Sequence, residues 1–327
     1  MWFVSIIAML AWSGSDIFSK IGTPTEDKDS HYKVGIAVGA VMGIHALYMV
    51  LTGTAFSFSD IITYLPASFF YISSMLIGYI GLRYIELSIS SPICNTSGAL
   101  ALIFSLIYFG VAWDQPDADE GIFLNTPIVL ALVLVVCGVL SLGFVEYREN
   151  DEARLLRQAA SGRKYTKSVL AILLPVIYCL LDACGSFVDT LIADKYAAGL
   201  LEKDASLTED AANLLAGDTL NTAYEFTWFF MAVIFAVYLT IRKKWQKPTV
   251  KADGARLAGG ICETLGQVFY MMVVVSDYKI GLVIISAYCA LSLLWGRLLL
   301  KEKLSWRHYL SIAAAFAGIV ILGFYDV

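Results

Sequence analysis

Charge is what this 327-residue chain has least of: Asp, Glu, Lys and Arg make up only 16% of it, and histidine occurs three times. A soluble domain carries roughly 25% charged residues, so the chain is short of solvated surface. Its six cysteines (Cys94, Cys137, Cys179, Cys184, Cys262 and Cys289) all fall within apolar runs, with no Cys-x-x-Cys and no Cys/His cluster. That spacing indicates neither a zinc site nor a redox pair, and the thiols read as small buried hydrophobes. Gly-x-Ser-x-Gly, His-Glu-x-x-His and phosphate-loop patterns are also missing, so no catalytic residue, metal or cofactor is assigned and the chain is not read as an enzyme. A net charge of −5 carries no sign of nucleic-acid binding.

What is there is apolar length. Hydrophobic residues make up 58% of the chain. They gather in runs of about 20, the length that crosses a hydrocarbon core as a helix. The runs are 2–21, 32–53, 61–85, 90–112, 124–145, 168–193, 218–241, 254–276, 280–300 and 306–325. The expected fold class is an all-α polytopic membrane protein with ten transmembrane helices. The first run lacks a basic leader and a small-residue cleavage site, so it is expected to stay in the mature protein.

The loops orient these runs. Of the 23 Lys and Arg, only Lys195, Lys203 and Lys279 fall on one side when alternate loops are compared. The positive-inside rule then places both termini outside the cytoplasm and expects a multi-pass protein of the plasma membrane. The longest basic break ends near 167 and divides the chain in two. Residues 1–150 form a first five-helix repeat, 151–167 a cytoplasmic linker, and 168–327 a second five-helix repeat with a 194–217 extracytoplasmic insertion. Five is odd, so the second repeat must be inverted relative to the first, the architecture of secondary transporters with a midplane site. In the insertion, Ser206-x-x-Glu209 followed by "DAANLLAG" predicts a short amphipathic helix lying on the outer surface.

The halves share a feature. Trp12-x-x-x-Asp16 in the first run corresponds to Tyr178-x-x-x-Asp182 in the sixth, each an aromatic and an acid one turn apart on one face. The closing stretch "SAYCALSLLWGRLLLKEKLSWRHYLSIAAAFAGIVILGF" (286–324) resembles the end of an EamA-type repeat of the drug/metabolite transporter superfamily. There a small-residue span, an acid-containing loop ("KEKLSWRHY") and a final Gly-containing span follow one another. The opening "AWSGSDIFSK", with Trp12-x-Gly14-Ser15 and a Lys at the span end, resembles the family's first span. Two departures stand beside the likeness: "AWDQPDADEG" replaces the acid-plus-basic loop in the first repeat, and the 194–217 insertion is long. The resemblance implies a ten-helix secondary carrier of small metabolites or drugs, a monomer or homodimer in the lipid bilayer.

Five acids lie well inside the runs: Asp16, Asp182, Asp189, Glu225 and Glu263. Each costs roughly 2.5–3.5 kcal/mol at a helix centre, so they must face water, pair or bind protons. Asp16 can instead reach towards Lys20, and Asp189 can reach water near the end of its run. No Lys or Arg is placed mid-run to pair with them. Glu263, Gln267 and Tyr270 share one helical face, Tyr224 and Glu225 precede Trp228 by a turn, Asn95 follows Pro92, and Tyr288 lies in the ninth run. Carboxylates among Trp and Tyr suit an aromatic or amine cation, with a proton as the candidate coupling ion. The expected substrate-binding set is Trp12, Asp16, Asn95, Tyr178, Asp182, Tyr224, Glu225, Trp228, Glu263, Gln267, Tyr270 and Tyr288. The alternative is an intramembrane enzyme acting on a lipid or peptide, for which His45, read as the one span-buried histidine, shows no partner in sequence.

The charge split makes a direct prediction. In a cysteine-free background, Asp117→Cys is expected to react with a membrane-impermeant thiol reagent added outside cells, and Lys247→Cys to stay silent until the membrane is opened. The reverse pattern would refute the orientation.

Overall fold

The computed structural model describes residues 2–115, 121–159, 169–245, 249–275 and 279–325. Helices occupy all ten expected positions. The first half holds α1 (Trp2–Gly22), α2 (Ser30–Thr52), α3 (Phe58–Gly81), α4 (Leu87–Cys94) with α5 (Ser97–Phe109), and α6 (Thr126–Arg148). After α7 (Asp151–Ala159), the second half holds α8 (Val169–Lys203), α9 (Glu209–Ile241), α10 (Val250–Val275), α11 (Lys279–Ser286) with α12 (Tyr288–Leu299), and α13 (Trp306–Tyr325). The sole strands among the described residues, β1 (Val111–Trp113) and β2 (Ile122–Leu124), pair in parallel beside the acidic loop. The chain is a polytopic membrane protein: eight helical segments are long and apolar enough to cross a membrane. Of the other two expected positions, the eighth is the more polar and the described apolar helix at the ninth, Val283–Leu299, is shorter. α10 carries Asp253, Arg256, Glu263 and Gln267, and the α11–α12 pair is interrupted at Ala287.

Packing relates the halves element by element. α1 lies against α10 and α8 against α3; α2 pairs with α9 and α6 with α13; α12 and α11 pack on α1 as α5 and α4 pack on α8. Exchanging the first five positions with the last five leaves these pairings unchanged. Close approach is carried by small residues, as expected where lipid removes the hydrophobic drive between helices. Gly138 of α6 rests on the backbone of Ala315, and Gly318 of α13 on that of Ala131, so a Cβ at either would overlap the facing helix.

Three sequence expectations are corrected. Positions four and nine are broken helices rather than continuous spans, interrupted at Asn95–Thr96 and at Ala287, each after a half-helix of eight residues. The 194–217 segment does not form a separate surface helix. α8 runs on to Lys203 and α9 starts at Glu209, giving helices of 35 and 33 residues joined by a short turn. At 1.5 Å per residue these are about 50 Å long, well beyond the ~30 Å hydrocarbon core. The cap of α9 is Thr208, whose hydroxyl accepts from Ala211 N, and not Ser206. Part of the 151–167 linker is the helix α7, with the remainder outside the described residues.

At the end of the molecule where α1 finishes, buried charges tie the loops down. Asp27 accepts from Lys33 at 2.7 Å and from Arg256 of α10 at 2.9 Å, and Arg256 also donates to Gly22 O at 2.8 Å. Lys244 donates to Asp29 and to the Tyr238 hydroxyl, which raises its pKa above that of an ordinary lysine. The turn between α3 and α4 is held from both sides. Lys20 donates its buried ammonium to the carbonyls of Leu82 and Ile85 at the end of α3. The Glu302 carboxylate accepts Leu87 N at 3.1 Å, Ser88 N at 2.9 Å and Ser88 Oγ at 2.7 Å at the start of α4. Cation at a helix C-terminus and anion at an N-terminus satisfy orphan backbone groups and match both dipole ends. Glu302→Ala is therefore expected to destabilise by about 2–4 kcal/mol through the buried N–H groups it strands, and Glu302→Gln by less. Thermal unfolding in detergent measures this, and an unshifted midpoint for Glu302→Ala would refute the anchoring role.

Candidate functional site

Asp16 sits where α1 passes both broken helices. Its Oδ2 accepts the hydroxyl of Ser91 in α4 at 2.5 Å and that of Ser292 in α12 at 2.6 Å. Asp182, its counterpart on α8, accepts Ser74 Oγ of α3 at 3.3 Å and a further hydroxyl bond from Ser97 at the start of α5. Glu263 of α10 accepts Ser15 Oγ at 2.6 Å, and both aspartates lie within electrostatic reach of it. Three half-buried carboxylates thus converge, each bonded to hydroxyls, and among the described residues none of them forms a salt bridge. A hydroxyl satisfies a lone pair without cancelling the charge.

The matched aromatics also land in matching places. Trp12 lies across Gly266 of α10 and Tyr178 across Gly78 of α3; a Cβ on either glycine would overlap the ring. Glycine is needed at both positions for that close approach. The Trp12 ring meets Tyr270 at 5.1 Å and Tyr288 at 5.8 Å. Tyr178 is within electrostatic reach of Asp182 and Glu263, Tyr288 of Asp16 and Asp182, and Tyr79 of Glu263 and Asp16. Asn95 closes the assembly: its amide donates to Ser286 O at 3.0 Å, so the break in one half is bonded to the break in the other.

Nine of the expected residues therefore stand together: Trp12, Asp16, Asn95, Tyr178, Asp182, Tyr224, Glu263, Tyr270 and Tyr288, with Tyr224 bordering Glu263 and Asp182. Three stand apart. Glu225 is fully buried and bonded to His45 Nδ1 of α2 at 2.8 Å, which gives His45 the partner the sequence did not show. Nor is His45 the one buried histidine: His308 is fully buried, bonding Glu146 at 3.1 Å and Ser305 at 2.7 Å. Gln267 donates to Asn221, which donates to Glu225, so its amide serves that second polar cluster. Trp228 is core: it packs on Gly35 and Gly39 of α2 and spends its N–H on the Tyr224 hydroxyl at 2.9 Å. Asp189 does not simply reach water; it accepts from Tyr64 at 2.7 Å and Tyr71 at 3.4 Å.

Sequence reading gave no site role to the hydroxyl partners Ser15, Ser74, Ser91 and Ser292 or to the α3 tyrosines Tyr64, Tyr71 and Tyr79. A signal for α3 was available. It is the counterpart of α10, and Gly78 beside a run of tyrosines parallels Gly266 beside Tyr270. An apolar surface groove at the α6–α13 pair, lined by Thr126, Pro127, Leu130, Ile321, Phe324 and Tyr325, contains none of the acids.

Residues 220–324 match the EamA-like transporter family. No curated protein matches the chain. A solved crystal structure of a protein, 14% identical, aligns over 98% of this chain and 95% of its own with a TM-score of 0.52. At that identity the likeness concerns the fold alone.

The Glu225–His45 pair yields a stability prediction separate from the acids at the centre. Removing one partner of a buried pair typically costs about 3–5 kcal/mol because the other charge is stranded. His45→Ala should lower the unfolding midpoint strongly, and adding Glu225→Gln should restore most of it. Identical midpoints for the single and double variants would show that the two residues are not coupled.

Proposed function

We propose that this chain, with its EamA-like transporter domain, is a secondary carrier that exchanges a small aromatic or amine cation against protons by alternating access. The observation that carries the reading is the hydroxyl-held trio Asp16, Asp182 and Glu263 beside the two helix breaks. Among the described residues, Asp27, Glu146, Glu225 and Glu302 are matched by a cation, a histidine ring or backbone N–H groups; hydroxyls meet these three. An uncompensated carboxylate in a water-poor surround must take either a proton or another cation, so the two compete for one site. Ring faces of Trp12, Tyr178, Tyr270 and Tyr288 favour an organic cation by roughly 0.5–2 kcal/mol each.

The two five-helix sets support the transport half of the reading. Inverted repeats whose broken fourth helices meet at the site provide one centre that either end of the molecule can open towards. α1 belongs in sequence to the first set but packs on α10–α12 of the second, and α8 does the converse. Rocking one set against the other would move each acid relative to its hydroxyl donors. The plasma membrane, with both termini outside, is the setting consistent with the loop charges.

Reconstituted vesicles test this with a panel of aromatic amines, amino acids, nucleosides and organic acids. Asp182→Asn and Glu263→Gln are expected to weaken cation binding most, by roughly tenfold or more; Asp16→Asn should lose less, and Asp189→Asn least at equilibrium. Normal transport with an unchanged pH profile in every variant would make the acids structural. A best ligand that is an anion would defeat the cation reading while leaving the fold intact.

A further inference from the structure

We infer that Asp189, the Tyr71 phenol and the Ser186 hydroxyl form a proton-transfer ladder that feeds Asp182 from the end of the molecule bearing the α8–α9 turn. The inference rests on the exchange reading for its role in transport, but its geometry stands on its own. Asp182, Ser186 and Asp189 lie at i, i+4 and i+7 of α8, on one face. Tyr71 of α3 reaches across to that face, its hydroxyl 3.4 Å from Asp189 Oδ2 and 3.3 Å from Ser186 Oγ. It can do so because Gly185 presents no side chain; a Cβ there would overlap the Tyr71 ring. Ser186 Oγ in turn donates to the Asp182 carbonyl at 3.1 Å, and a change of Ser186 rotamer would turn the hydroxyl from that carbonyl towards the Asp182 carboxylate. Beyond Asp189, the exposed Asp194 lies within its electrostatic reach.

The groups facing Asp189 are all acids or phenols. From α3 come Tyr64, bonded at 2.7 Å, and Tyr71; from α8 comes Asp194. From α9, Tyr224 packs edge-on against both tyrosines at 6.4 and 5.8 Å, and Tyr270 of α10 lies within electrostatic reach of Tyr71. Among the described residues no basic side chain bonds to Asp189.

The opposite half lacks the device. The same steps from Asp16 along α1 lead to Lys20 and Thr23. The Lys20 ammonium is directed at the carbonyls of Leu82 and Ile85, and the Thr23 hydroxyl at Ser19 O and Lys20 O. A fixed cation stands where the ladder has Ser186, so among the described residues the α1 stripe offers no matching hydroxyl–carboxylate route.

The transfer is balanced. The Asp189 carboxyl O–H bond breaks and its proton joins the Tyr71 oxygen, while the Tyr71 proton passes to Ser186 Oγ and the Ser186 proton to an Asp182 carboxylate oxygen. One proton moves from Asp189 to Asp182, and both hydroxyls end neutral.

A pH jump on the reconstituted protein, with no substrate present, tests the ladder by time-resolved infrared spectroscopy of the protonated carboxyl band that Asp182→Asn removes. Asp189→Asn, Tyr71→Phe and Ser186→Ala are each expected to slow the rise of that band by about tenfold or more, with its final amplitude unchanged. An unchanged rate in all three variants would overturn the ladder. So would loss of amplitude in Tyr71→Phe and Ser186→Ala, which would make these groups structural supports, or a wild-type band insensitive to Asp182→Asn. Adding an aromatic amine then reads the exchange proposal separately: no displacement of the proton defeats that proposal and leaves the ladder's rate result standing.

Discussion

The constraint that organises this molecule is that a backbone polar group surrounded by lipid must find its partner within the protein. Two helices stop and restart in mid-molecule, and each stop frees carbonyls and N–H groups. At the breaks, Asn95 of one half serves Ser286 O of the other; at the turn between α3 and α4, Glu302 from the other half serves Leu87 N and Ser88 N, and Lys20 of α1 serves Leu82 O and Ile85 O. The broken helices are consequently held by long-range polar contacts rather than by their own continuity. A chain that only needed to cross the bilayer would keep those helices whole.

That accounting also sorts the acids. Asp27 has Lys33 and Arg256, Glu146 has Arg154 and His308, Glu225 has His45 and Asn221, and Glu302 has a helix N-terminus. Each of these carboxylates is matched by a positive charge, a polarised ring or a helix dipole, so ionisation is already provided for. Among the described residues, Asp16, Asp182, Glu263 and Asp189 are met by hydroxyls alone. A hydroxyl can accept as readily as it donates, so its bond survives when the acid takes up a proton. A salt bridge would not tolerate that change, and the difference separates acids that stabilise the fold from acids free to change their protonation.

Sequence reading reached the helices because their signal is local: runs of about 20 apolar residues need no knowledge of neighbours. It also reached Trp12/Asp16 and Tyr178/Asp182, since an i, i+4 pair repeated in two halves is visible along the chain. The hydroxyl partners were out of reach for the opposite reason. Ser292 lies 276 residues from Asp16, and serine is common enough that position alone marks nothing. The breaks were half legible. Pro92 and Asn95 announce the first, whereas Ala287–Tyr288 carries no residue that disfavours helix. The 194–217 misreading came from giving Ser206-x-x-Glu209 more weight than "KYAAGLLEK", whose residues are mostly good helix formers and simply prolong α8.

The near-symmetry of the two halves gives the last step its force. The helix pairings around the centre recur in both halves, down to an aromatic ring lying on a glycine of the facing helix. Symmetry of that kind lets one centre be approached from either end at similar energetic cost, which suits exchange but gives it no direction. Direction must then come from where the halves differ. They differ along the faces that lead away from the two aspartates: α8 continues as Ser186, Asp189 and Asp194, and α1 as Lys20 and Thr23. One face offers hydroxyls and acids to a proton, and the other offers a buried ammonium clamped on carbonyls. The shared architecture brings the acids together, and this single asymmetric stripe makes the two faces that lead away from them chemically unequal.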